Sequence, residues 1–143
     1  MVNEPNGVIE LLGGTLAATT ITQKAGAALE GFGGITGDVL IDPDGLIKLT
    51  GPTNIVGDVT VEPGATLQIS DGQTLITGQT VNNGSIELIG GTVIFQGGYS
   101  GAGTIPVTAG TDRNHFDVNA DGIEDFKDFA SFADNWLWRA SWY

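Results

Sequence analysis

Cysteine is absent from the 143 residues, which excludes a disulfide framework and any thiolate metal site. There is a single histidine, His115, so a two-histidine zinc motif is excluded as well. Lysine and arginine total 5 against 17 aspartates and glutamates, for a net charge of −12. So acidic a chain repels nucleic acid and anionic lipid. No apolar run approaches the roughly 20 residues that span a bilayer as a helix, so no membrane insertion is expected. The opening Met1-Val2-Asn3-Glu4-Pro5 lacks the basic region and apolar core of a signal peptide. Either a cytosolic chain or one that has lost its signal is consistent with that start.

What is abundant is glycine, 23 residues, and its distribution divides the chain. Residues 1–110 hold all but Gly122 of the glycines and only three aromatics, Phe32, Phe95 and Tyr99. Residues 111–143 hold the remaining aromatics, including every tryptophan. Two domains are therefore expected, 1–110 and 111–143.

The first is a repeat. Asn6-Gly7-Val8-Ile9-Glu10-Leu11-Leu12-Gly13-Gly14-Thr15-Leu16 returns as Asn83-Gly84-Ser85-Ile86-Glu87-Leu88-Ile89-Gly90-Gly91-Thr92-Val93. Gly37-Asp38-Val39-Leu40-Ile41-Asp42-Pro43 returns as Gly57-Asp58-Val59-Thr60-Val61-Glu62-Pro63. A turn glycine recurs at Gly7, Gly26, Gly45, Gly64 and Gly84. Apolar markers recur at Leu16, Ile35, Ile55, Leu75 and Val93, and again at Ile21, Val39, Val59 and Val81. Three short alternating segments in every 19–20 residues predict an all-β fold, a short parallel β-solenoid of about five coils with three strands per coil. Pro-Asn-Gly, Pro-Asp-Gly and Asn-Asn-Gly supply the corners. Five coils at about 4.8 Å each make a prism about 24 Å long. Residues 7–104 resemble the right-handed parallel β-helix repeats of bacterial surface and secreted proteins, and the handedness is implied by that resemblance alone.

Asp117-Val118-Asn119-Ala120-Asp121-Gly122-Ile123-Glu124-Asp125-Phe126-Lys127-Asp128 has the spacing of a twelve-residue calcium loop. Asp117, Asn119, Asp121, Asp125 and Asp128 offer oxygen side chains at positions 1, 3, 5, 9 and 12, and Ile123 offers its backbone carbonyl at position 7. Gly122 takes the sharp turn at position 6. A hard cation needs six or seven oxygens, and alternate residues of a coiled loop converge on it. Ca2+ is the expected cofactor, with affinity on the order of 10⁻⁴–10⁻³ M or somewhat tighter. A helix is predicted to follow. Phe126, Phe129, Phe132, Ala133, Trp136 and Leu137 form its apolar docking face, and Asp125 and Asp128 favour its first turn. Trp138, Trp142 and Tyr143 extend the aromatic character to the end, as packing residues or a sugar-stacking strip.

This tail resembles dockerin type I modules, most closely the single-loop tails of planctomycete-type secreted proteins. The resemblance implies calcium binding, a secreted, extracellular or cell-surface setting, and protein–protein docking. Two features depart from cohesin-binding dockerins: one loop stands where they have two, and position 8 is Glu124 rather than an apolar residue. A lone loop and helix of about thirty residues needs a further surface to pack on.

No catalytic residues are expected. Asp38/Asp58 and Asp42/Glu62 should stack on adjacent coils, as a dyad, a surface calcium site or turn-solubilising residues. The solenoid has only Lys24 and Lys48 for basic chemistry, and no Gly-Lys-Ser/Thr phosphate loop exists. The sequence therefore points to a non-enzymatic bacterial structural protein. It is expected to assemble into a homo-oligomer, filament or surface layer through solenoid ends and the calcium-ordered docking helix. The alternative is a monomeric adhesin or spacer whose tail binds another surface protein. A polysaccharide-active enzyme is the third class.

Overall fold

A computed structural model describes residues 1–108 as a parallel β-solenoid of about five coils. The calcium loop and helix expected over 111–143 lie outside the described residues. Strand β1 is Val2–Asn3. Three long strands follow and bend around corners: β2 (Val8–Gln23), β3 (Ala28–Ile41) and β4 (Leu46–Val56). Shorter segments complete the later coils: β5 (Val59–Val61), β6 (Thr66–Ile69), β7 (Gln73–Ile76), β8 (Thr80–Asn82), β9 (Ser85–Ile89), β10 (Thr92–Phe95), β11 (Tyr99–Ser100) and β12 (Val107–Thr108).

Every ladder among the described residues is parallel and joins residues 18 to 21 apart. Three sides result. Side A stacks 8–12 of β2, 28–31 of β3, 46–49 of β4, β6 and β9. Side B stacks 15–17, 33–36, 53–56, β7 and β10. Side C stacks β1, 20–23, 38–41, β5, β8 and β11.

Alternation drives this arrangement, because each strand turns one face inward. Side A sends in Leu29, Ile47, Leu67 and Ile86; side B sends in Ile35, Ile55 and Ile76; side C sends in Ile21, Val39 and Val59. Each such side chain is nearly or fully buried, and each burial contributes about 1.5–3 kcal/mol.

The structure corrects three columns of the repeat. The corner column is Gly7, Ala27, Gly45, Ala65 and Gly84: the carbonyls of Gly7, Gly45, Ala65 and Gly84 accept from Ala28, Thr66, Ser85 and Thr104 N. Gly26 and Gly64 instead share the preceding position with Asn6 and Asp44, and these four residues have positive φ (72°, 84°, 68° and 60°). On side B, Ile76 and Phe95 continue the Ile55 column in place of Leu75 and Val93. On side C, Thr80 occupies the Val59 column in place of Val81. For Leu75 and Val81 the cause is one extra residue at the Ser70-Asp71-Gly72 corner, which lengthens the offset from 20 on side A to 21 on sides B and C; Val93 stands two positions before Phe95 and stacks on Thr74.

Candidate functional site: the solenoid ends and acidic corners

The acidic corners are built first from glycine. At the corner between sides B and C, Gly37 has φ 121°, and a Cβ there would lie 1.6 Å from the Ala18 carbonyl oxygen. Gly57 stacks on it with φ 151°. The following aspartates do stack as the repeat predicts, and their oxygens are engaged. Asp38 Oδ1 accepts from Asp58 N at 3.0 Å, and Asp58 Oδ1 accepts from Gln79 N at 2.8 Å. Each carboxylate thus holds the backbone of the next coil where the ladder turns.

Asp42 also has a structural partner. Its Oδ2 accepts from Lys24 Nζ on the preceding coil. That hydrogen bond, then the Asp42 charge, with Glu4 assisting, holds the Lys24 ammonium above its ordinary 10.5. Because the folded value is the higher one, this contribution is complete below 10.5 and fades as pH rises past it. Glu62 stands on the next coil beside Asp42, its N donating to Ile41 O. Among the described residues no three histidine, cysteine, aspartate or glutamate side chains converge as a metal cage. A shallow open depression of about 360 Å³ on side B is lined by Gly13, Gly33, Pro52, Asn54, Gln73 and Leu75. None of its lining residues titrates, so it offers no acid–base pair.

The ends of the solenoid carry the remaining chemistry. At the first coil, β1 pairs with side C only. Sides A and B of β2 have no partner on that edge among the described residues. At the last coil, a bridge at Thr104 and strand β12 pair with side A only. The outer edges of β10 and β11 are free of strand partners among the described residues. Large apolar side chains are exposed at both ends, Val8 (67%) and Leu12 (79%) at one and Val107 (71%) at the other.

Buried amides mark the same two ends, a feature the apolar periodicity had no means to signal. One inward column of side C runs Asn3, Gln23, Ile41, Val61, Asn82. Asn3 Nδ2 donates to Gln23 Oε1 and to Ala28 O, both at 2.9 Å. Asn82 Nδ2 donates to Thr104 O at 3.0 Å and to Tyr99 Oη at 3.1 Å, and Asn82 Oδ1 accepts from Gly84 N. Each asparagine fastens a corner a little more than one coil-length of chain away. Tyr99 packs on Phe95 with ring centroids 4.8 Å apart.

The calcium candidates Asp117, Asn119, Asp121, Ile123, Asp125 and Asp128, and the docking face from Phe126 to Leu137, lie outside the described residues. Comparison with protein-family models, curated proteins and solved structures returns no match.

Proposed function

We propose that this chain is an extracellular structural protein that assembles end to end, with its C-terminal calcium loop and aromatic helix as a docking element. One observation carries the reading: both ends of the solenoid present parallel-strand edges without strand partners among the described residues. Such edges are rows of unpaired N–H and C=O groups, and they template further strands. A head-to-tail contact that does not close on itself gives a filament. The engagement of Asp38, Asp58 and Asp42 in structural contacts favours a scaffold over a carbohydrate-cleaving groove.

Calcium enters through donor chemistry. Five oxygen side chains and a turn glycine at loop spacing suit a hard cation. Bound there, the ion would order the loop from which the docking helix starts.

Light scattering on the full chain after size exclusion, in calcium and then in chelator, tests the proposal. Polymers in calcium that fall to the 14.8 kDa monomer in chelator are expected. A monomer in both would replace assembly with a spacer whose tail binds a separate anchoring protein.

A further inference from the structure

The two ends of the solenoid carry complementary parts of one coil, and we infer that a second copy of this chain completes it in a defined register. The inference rests on the end-to-end reading above and specifies its interface. Beyond coil five, the described residues supply side A, through Thr104 and β12. Before coil one, they supply side C, through β1. Placed end on end, the side A piece of one copy and the side C piece of the next occupy the same level without overlapping.

The register is written inside the chain. Coil one and coil five have nearly the same side A sequence, Val8-Ile9-Glu10-Leu11 and Ser85-Ile86-Glu87-Leu88. The strand that precedes coil five is Thr66-Leu67-Gln68-Ile69, paired Thr66↔Ser85, Leu67↔Ile86, Gln68↔Glu87 and Ile69↔Leu88. The segment available to precede the next copy's coil one is Thr104-Ile105-Pro106-Val107, with the same alternation. The β6–β9 contact is thus a template for the contact between copies: Thr104 on Val8, Ile105 on Ile9, Pro106 on Glu10, Val107 on Leu11.

Backbone direction agrees. Thr104 and Pro106 carbonyls face back to β9, accepting from Ile86 and Leu88 N at 3.0 and 2.9 Å. Consecutive residues of a strand direct their backbone groups to opposite neighbours, so Ile105 and Val107 present theirs to the incoming copy. The proline at 106 therefore removes no donor from the new ladder. In β2, Gly7 O faces β3, accepting from Ala28 N, so Val8, Glu10 and Leu12 face outward to meet it. Side C continues in the same way. The column Thr22, Leu40, Thr60, Val81, Ser100 places the next copy's Val2 on Ser100 and its Asn3 on Gly101. Pro106 also spaces Glu87 from the next copy's Glu10, which would otherwise stack as like charges about 4.8 Å apart.

A chain without cysteine allows a direct test. Val8 and Thr104 are both exposed and turn outward in the predicted pairing. Adjacent coils bring their Cα atoms within disulfide range, about 4.4–6.8 Å. The full-length V8C/T104C double variant, oxidised under assembly conditions, is expected to give a covalent ladder at multiples of 14.8 kDa. The V56C/T104C variant, with its first cysteine exposed on side B, is expected to give none. Large particles by light scattering without the V8C/T104C ladder, or with equal ladders from both variants, would overturn the register while leaving self-assembly standing. A V8C/T104C chain and a parent chain that are both monomeric would overturn both.

Discussion

At the scale of single residues, the corners separate glycines that are structural necessities from glycines that are conveniences. A side chain at Gly37 meets the Ala18 carbonyl at 1.6 Å and also sits at an unfavourable φ of 121°. Gly26 has φ 72° with open space around its Cβ position, and the same corner position elsewhere holds Asn6 and Asp44. Gly37→Ala is therefore expected to lower stability by more than about 2 kcal/mol, since strain of about 1–3 kcal/mol adds to a backbone clash. Gly26→Asn is expected to stay within about 0.5 kcal/mol of the parent. Urea midpoints of the two variants decide the matter; equal losses would refute the corner assignment. The sequence makes both glycines look alike, because residue type reports tolerance for positive φ and is silent on how near the next coil lies.

At the scale of strands, alternation is legible only where the inward residues are apolar. Coils two and three read correctly for that reason: Ile35 and Ile55 lie over one another, as do Val39 and Val59. On side C the fourth coil buries Thr80 instead and leaves Val81 on the outer face; on side B it buries Thr74, stacked on the buried Thr53, and Ile76, and leaves Leu75 outside. A one-residue shift turns every side chain of a strand to the other face. A reading that follows the most apolar residue takes the wrong alternate there. The hydroxyls of Thr74 and Thr80 are buried without a hydrogen-bond partner. Thr80→Val keeps the shape and removes an unsatisfied group, which costs about 1–3 kcal/mol. A rise in the thermal midpoint is expected, equivalent to about 1 kcal/mol; a fall would mean that the hydroxyl has a partner. The extra residue at Ser70-Asp71-Gly72 was equally hard to foresee, since a corner absorbs one residue without any change in the pattern on either side.

At the scale of the molecule, period and composition carried the architecture, because five coils repeat the same solution. The ends were not legible. Polar residues at 3, 23 and 82 look like loop residues in sequence, yet they fill the interior where the apolar column stops. A net charge of −12 opposes any association between copies. On the proposed reading calcium would promote assembly in one of two ways, by binding the oxygen side chains of residues 117–128 or by neutralising charge in bulk. Replacing Asp117 and Asp121 by alanine separates them. The variant is expected to lose calcium-dependent assembly while its β signal in circular dichroism is unchanged. Assembly retained at the same calcium concentration would assign the effect to charge neutralisation.

Uniform spacing along the chain has a kinetic consequence. Since each ladder spans 18 to 21 residues, closing one coil costs nearly the same loop entropy as closing any other. Folding then resembles crystal growth: one slow nucleus, followed by accretion of equivalent layers from either side. A frayed terminal coil re-adds to its own edge at the effective concentration set by its tether, on the order of millimolar. A free neighbour offers an edge of the same kind. On the end-to-end assembly proposed above, terminal coils would exchange between chains as protein concentration approaches that range, and the boundary between folding and polymer growth would disappear.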